Sequence, residues 1–257
     1  GRVVQPGKET VTLDDYRRRY AQYRSDPDLQ ALHAAHPMIA IWDDHEIAND
    51  AWRNGAENHQ AGEGDYAARK AAALQAWHEW LPVRSGASRE QIWRRFDWGN
   101  LLSLHMLDTR IAGRDLQLDY ANFFGASGFD GAAFSAALAD PTRQLLGSAQ
   151  QAWLQQQLAA SSATWQLLGQ QVLMGRMNIP APILFEANQP GSGVTVSAYA
   201  ALVQKAQTNP AALTPQEQAV LAQPAIPYNL DAWDGYAVAR ETVLGTAASL
   251  NKNLVVL

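Results

Sequence analysis

The sequence predicts an α/β domain built around a mixed β-sheet. Short apolar segments alternate with helix-like segments along the 257 residues, as in folds where helices cover a sheet. Two predicted strands, 92–98 and 101–107, are joined tightly at Gly99-Asn100, which is typical of a hairpin. Because a hairpin is antiparallel while strand–helix–strand connections give parallel pairs, we expect both kinds of pairing in one sheet.

Two helices are predicted near the start of the chain. Thr12 can cap the first helix, and Asp15 three residues later can complete a capping box. Asp26 can cap the second helix, which has Pro27 at its first position. The apolar segment 38–41 that follows is too short for a core helix and is predicted to be a strand.

The later elements are predicted from caps, breakers and apolar spacing. They are a helix from Asp65 to about Trp80, a helix from Ser148 to Leu158, a strand at 165–174, a helix at about 235–250 and a terminal strand at 253–257. Residues 111–147 and 176–230 show little regular spacing of apolar residues. We therefore expect irregular insertions there, the second with one or two short surface helices.

Composition excludes several classes of protein. Hydrophobic residues make up 47% and charged residues 18% of the chain, a globular rather than a disordered balance. The net charge of -5 gives no reason to expect a nucleic acid or an anionic membrane as a partner. Cysteine is absent from these 257 residues, so they contain no disulfide, thiolate ligand or sulfur nucleophile. No apolar run reaches the roughly 18 residues that a membrane helix needs.

Both ends of the sequence predict a piece of a longer protein. The first residue is Gly1, and residues 253–257 read as a buried strand that stops at its carboxyl end. Loops after such strands often carry function in α/β folds, and termini usually lie at the surface. A native terminus that caps an edge strand is the alternative.

The segment 42–46, with the sequence WDDHE, carries the most chemical information. It places three carboxylates and one histidine directly after a predicted strand. Ionisable groups this close repel one another unless a cation or a phosphate organises them. Carboxylate oxygens suit hard cations, and imidazole also suits zinc or iron. A solvated loop whose acids cap the following turn is the alternative on residue types alone.

The run TLDDYRRRYAQYRSDPDLQALHAAHPMIAIWDDHEIANDAW resembles the PhoD-like branch of the metallophosphoesterases. The later segments AARKAAALQAWHEWLPVR, LDTR, WQLLGQQVLM and NLDAWDGYAVAR are similar to that family in the same order, so the resemblance spans nearly the whole chain. It implies a mixed-sheet metallophosphoesterase-like sandwich with flanking helices, of which this chain is the central part, incomplete at both termini. It also implies export to a secreted or periplasmic location.

The resemblance further implies metal-dependent hydrolysis of phosphate monoesters by a metal-activated water, with calcium and iron as cofactors and a small-molecule phosphate ester as substrate. Carried over position by position, Asp44 takes a metal-ligand place and His45 the catalytic place, where it would contact a phosphate oxygen or protonate the leaving alkoxide. Asn49 is a second candidate metal ligand.

Two arginines are candidates for binding phosphate. Arg69 lies one turn into a predicted helix, where a guanidinium can fork onto phosphate oxygens, or where it can pair with Asp65. Arg110 follows a strand end, where it either reaches the phosphate or forms an ion pair with Asp108. Both alternatives stay open for both arginines.

The sequence also departs from the family. The metal-binding Cys, Asp and Tyr segments and the Gly-Asp-x-His segment that the family carries are absent from these 257 residues. We therefore expect the chain on its own to be inactive. The alternatives to a monoesterase are a phosphodiesterase on the same scaffold, with residues 111–147 and 176–230 as groove walls, and a catalytically incomplete binding module.

Overall fold

A computed structural model describes residues 3–257. Its α-helices are α1 (Leu13–Arg24), α2 (Pro27–Ala35), α3 (Tyr66–Trp80), α4 (Gly131–Leu138), α5 (Gly147–Ala160), α6 (Ala181–Asn188), α7 (Val196–Thr208), α8 (Pro215–Leu221) and α9 (Ala237–Ser249). Its strands are β1 (Arg94–Trp98), β2 (Leu102–Met106), β3 (Phe124–Gly125), β4 (Gly128–Phe129), β5 (Trp165–Gly169), β6 (Asn178–Pro180), β7 (Ala225–Pro227) and β8 (Asn253–Val256).

A four-stranded mixed sheet has the order β1-β2-β5-β8. β1 pairs with β2 in antiparallel fashion, whereas β2 with β5 and β5 with β8 are parallel pairs. Gly99 turns the β1–β2 hairpin at a φ of 56°, which residues with a side chain rarely adopt. The predicted mixed α/β fold and its hairpin are therefore confirmed.

The two faces of this sheet differ in burial. His105 and Gln166 are fully buried on one face, where the His105 ring lies 6.2 Å from that of Trp153 in α5. Trp98 and Trp165 lie on the opposite face and remain 48% and 45% exposed in the described part of the chain. The carboxyl ends of the three parallel strands share one edge, so the residues after β2 lie at the edge where α/β sheets bind ligands.

The first helices form as predicted. Thr12 Oγ1 accepts from Asp15 N, and the Asp15 carboxylate accepts from Thr12 N, which completes the capping box of α1. Asp65 caps α3, and the buried rings of Trp42 and Trp77 meet edge to face with their centroids 5.1 Å apart. This contact anchors the chain just before the Asp-Asp-His-Glu sequence in the core between α1 and α3.

Three local predictions were wrong. Residues 38–41 form no strand, because no segment in the described part of the chain makes a ladder with them, and Met38 is 53% exposed. The strand at 165–174 ends at Gly169. α5 begins at Gly147, at a φ of 74°, and no side chain caps it. The predicted cap at Ser148 is therefore absent.

The chain divides into two compact units. One contains the chain up to Leu116, Gln144–Gln171 and Thr242–Leu257, and the other contains Gln117–Arg143 and Val172–Glu241. Residues 176–230, all described, hold the three helices α6, α7 and α8 rather than one or two. Thr195 and Thr214 cap two of them, and Glu217 completes a capping box with Thr214, as the sequence Thr-Pro-Gln-Glu at 214–217 predicts.

The second unit has its own aromatic core. The rings of Phe129 and Phe185 lie 4.6 Å apart between centroids, and those of Tyr120 and Phe134 lie 4.9 Å apart. The assignment of 111–147 and 176–230 as insertions in one domain stays a prediction. Within residues 3–257, no helix combines the length and the apolar composition that crossing a bilayer requires.

Candidate active site

The segment 42–46 forms a tight turn that leaves the core. Trp42 is fully buried, and Asp44–Glu46 form a single 3₁₀ turn. Glu46 Oε2 accepts from Asp43 N at 2.6 Å, which closes the turn, and burial raises the pKa of the Glu46 carboxyl above its ordinary value. Glu46 therefore caps the turn, as expected if the acids of a solvated loop cap the following turn. Asp44, in contrast, is buried.

Asp44 is a buried carboxylate held by backbone donors. Its Oδ1 accepts from His45 N at 2.8 Å, and its Oδ2 accepts from Asp50 N at 2.8 Å. Burial alone raises the pKa of Asp44. The positive charge of Arg110 and the N–H groups of Asp50 and His45 outweigh burial and lower the pKa below its ordinary value. The carboxylate is therefore ionised and fixed in orientation.

His45 projects from this turn into solvent. Its side chain is 74% exposed, and its Nδ1 lies 2.8 Å from Asp44 Oδ1. Because an ionised carboxylate can only accept, Nδ1 carries a proton and Nε2 is the ring nitrogen that remains for other chemistry. The pair can thus present an oriented imidazole whose Nε2 accepts or donates a proton.

Arg110 brings the end of β2 to this turn. Its Nε donates to Asp43 Oδ1 at 2.7 Å, and its Nη2 lies 3.9 Å from Asp44 Oδ2. The predicted ion pair with Asp108 was wrong. The Asp108 carboxylate is fully buried and accepts instead from the backbone N–H groups of Arg110, Ile111 and Ala112.

Two glutamines hold the backbone that carries Arg110. The Gln150 amide accepts from Asp108 N at 2.8 Å and donates to Asp108 O at 2.7 Å. Gln171 accepts from Thr109 N at 3.1 Å and donates to Leu107 O at 2.9 Å. Sequence reasoning missed both, although a glutamine inside a predicted apolar strand was a signal for Gln171.

Arg69 does not occupy the predicted position. Its side chain is 2% exposed, and its guanidinium donates to Tyr16 Oη, Asn58 O and Glu9, with Glu63 also 3.2 Å away. The Arg69 guanidinium pairs with Glu9 and Glu63 and not with Asp65, whose backbone carbonyl accepts from Arg69 N as an ordinary helix contact. Both predicted alternatives for Arg69 are corrected, because acceptors from distant segments surround the group.

Asn49, the second candidate metal ligand, contacts Glu57 through both its side chain and its backbone. Its side-chain nitrogen Nδ2 donates to Glu57 Oε2 at 2.5 Å, and its backbone carbonyl accepts from Glu57 N at 3.0 Å. Within residues 3–257, no group of three or more His, Asp or Glu side chains is arranged to hold a metal ion. The site that the described residues build is therefore an Asp–His pair beside an arginine.

Comparisons with known proteins agree on one family. A family model described as PhoD-like phosphatase matches residues 1–257. Alkaline phosphatase D of Bacillus subtilis (strain 168) is 34% identical over 252 residues, which are 96% of this chain and 34% of that protein. A solved structure described as "Structure of PhoD" matches with a TM-score of 0.65 and 32% identity, over 96% of this chain and 39% of that one. The chain thus spans about a third of the length of the curated relative that it matches.

Proposed function

Because the chain belongs to the PhoD-like phosphatase family, we propose that the protein hydrolyses small phosphate esters, with monoesters as its substrates. The observation that carries this proposal is the Asp44–His45 pair, with 2.8 Å between Oδ1 and Nδ1, beside Arg110. An oriented and exposed imidazole next to a fixed positive charge suits the transfer of a proton to a leaving oxygen of a phosphate ester.

His45 is the residue that we propose to contact the substrate. Its ring is exposed, and Asp44 fixes both its orientation and its tautomer. In its protonated form, Nε2–H can donate to a phosphate oxygen or protonate the leaving alkoxide. Asp44 acts here through His45, much as carboxylates orient imidazoles in other hydrolases.

Arg110 has a supporting electrostatic role in this proposal. Its side chain is only 5% exposed and contacts Asp43. We therefore assign it to stabilising the turn rather than to binding the substrate directly. Two carboxylates at this position would repel an incoming phosphate dianion. A buried guanidinium beside them offsets that charge and therefore allows the substrate to approach.

Metal dependence is a separate proposal, because the described residues do not provide a complete set of metal ligands. The resemblance implies calcium and iron, but the oxygens of Asp44 accept from the N–H groups of His45 and Asp50, and the Asn49 amide donates to Glu57. A multinuclear centre needs several further ligands in fixed geometry. We also propose export, on the resemblance alone.

Hydrolysis of p-nitrophenyl phosphate and bis(p-nitrophenyl) phosphate by the full-length protein tests the proposed function. We expect the monoester to be the better substrate, and His45→Gln to lower kcat on it by about 100-fold or more. His36→Gln, at an exposed position after α2, is the matched control and should leave kcat unchanged. A preference for the diester would favour a phosphodiesterase. An unchanged kcat in His45→Gln would contradict the role of His45.

A further inference from the structure

The carbonyl of Ile47 ends the turn that carries Asp44 and His45. Ile47 is 1% exposed, and its N–H donates to Asp44 O at 2.8 Å. A buried carbonyl needs a donor, since leaving it without one is costly. The donor is the hydroxyl of Tyr16, in α1, at 2.7 Å from Ile47 O. A side chain 31 residues earlier in the chain therefore fixes the end of the turn.

Arg69 supplies the second partner of the Tyr16 hydroxyl. Its Nε lies 3.1 Å from Tyr16 Oη, and a guanidinium can only donate. The phenol oxygen therefore accepts from Arg69, and its single proton is directed to Ile47 O. The three groups form a chain from Arg69 through Tyr16 to the turn, with each donor and acceptor in a defined role.

Arg69 is itself held from several directions. Nη2 donates to Glu9 Oε1 at 2.9 Å, and Nη1 donates to Asn58 O at 2.8 Å and faces His59 Nδ1 at 3.3 Å. His59 Nε2 lies 3.2 Å from Gly64 O, which can only accept, so Nε2 carries the ring proton and Nδ1 accepts. The guanidinium is thus fixed by the segment before α1 and by the loop before α3.

We infer that Tyr16 and Arg69 are positioning residues for the proposed reaction, which set the place of Asp44 and His45 through the Ile47 carbonyl. Neither residue touches the substrate. The inference rests on the proposed function, since it assigns a role at the same site. Displacement of a reacting group by about 1 Å costs on the order of 100-fold in rate, so a turn that loses this support should lose turnover while binding persists.

Tyr16→Phe in the full-length protein tests the inference, because it removes the hydroxyl and keeps the ring. We expect kcat on p-nitrophenyl phosphate to fall at least about 10-fold while KM stays within about twofold. Amide exchange at Ile47 and Ala48, whose N–H groups both donate to Asp44 O, should accelerate at least about 10-fold.

Tyr120→Phe is the matched control. The Tyr120 hydroxyl also donates to a backbone carbonyl, that of Pro227, at 2.5 Å, but it lies in the second unit. Loss of the Tyr120 hydroxyl should change neither kcat nor amide exchange at Ile47 and Ala48.

Two results would overturn the inference: an unchanged kcat in Tyr16→Phe, or a lower kcat without faster exchange in the turn. If the wild-type protein hydrolyses neither ester, the proposed function fails. The exchange measurement then still decides whether Tyr16 holds the turn.

Discussion

Arg110 and Asp43 form an ion pair, with 2.7 Å between Nε and Oδ1, although 67 residues separate them along the chain. The pair joins the end of β2 to the turn at Asp44–Glu46. Asp108 directs this contact by binding the backbone N–H of Arg110 at 2.8 Å. The geometry of the candidate site therefore depends on the loop after β2 as much as on the turn.

Arg110→Lys should lower kcat/KM on p-nitrophenyl phosphate by roughly 10- to 100-fold. A lysine carries the charge but has a single ammonium, so it cannot keep the planar guanidinium's contacts with both Asp43 and Asp44. Steady-state kinetics of the full-length protein measure the effect. Arg176→Lys, at an exposed arginine paired with Glu241 at 2.8 Å, is the control and should retain wild-type kinetics. Equal kinetics for both variants would contradict the role of Arg110.

Gly113→Ala should destabilise the fold by about 2 kcal/mol or more. A Cβ there would lie 2.4 Å from the Cα of Gly147 and 2.5 Å from Leu146 O, both of them backbone atoms. Gly245→Ala is the opposite case, because its Cβ would meet nothing within 4 Å inside α9. We expect that variant to gain about 0.5–1 kcal/mol from helix propensity. Urea unfolding measures both changes, and a loss of stability of similar size in the two would refute the packing argument.

Asp15→Asn should remove part of the acid sensitivity of the fold. Burial alone raises the pKa of Asp15, but Lys8 and the N–H and hydroxyl of Thr12 outweigh it and hold the pKa below the ordinary value. A folded-state pKa below the unfolded value of about 3.9 contributes stability above that pH, which is lost as the pH falls towards the folded-state pKa.

The measurement is the free energy of unfolding at pH 7 and at pH 3. Wild type should exceed Asp15→Asn by about 1 kcal/mol at pH 7, the usual worth of such a cap, and by less at pH 3. A difference that grows as the pH falls would show that the sign is wrong.

Signals within a few residues of one another were sufficient to predict much of the fold. The capping box of Thr12 and Asp15 and the turn at Gly99-Asn100 each depend on neighbouring residues, and both are found in the structure. The strand predicted at 38–41 does not form. A strand needs a partner strand, which the sequence of the segment alone does not specify.

The candidate site could be predicted only in part, for the same physical reason. Asp44 and His45 are adjacent in sequence, so their contact was predictable. The surroundings of Arg69 were not, since Tyr16 and Glu9 approach it from 53 and 60 residues away. The position of Arg69 near the start of a helix indicated a phosphate contact. In the structure its guanidinium donates instead to acceptors from distant parts of the chain.

Asp44→Asn in the full-length protein tests the central claim most directly, with kcat on p-nitrophenyl phosphate as the measurement. An asparagine has one acceptor oxygen, so it cannot accept from His45 Nδ1, His45 N and Asp50 N together. We predict a fall in kcat of at least about 100-fold. The matched control, Asp14→Asn, changes an exposed carboxylate paired with Arg18 and should keep wild-type turnover. A kcat for Asp44→Asn within about twofold of wild type would contradict the assignment of this turn as the active site.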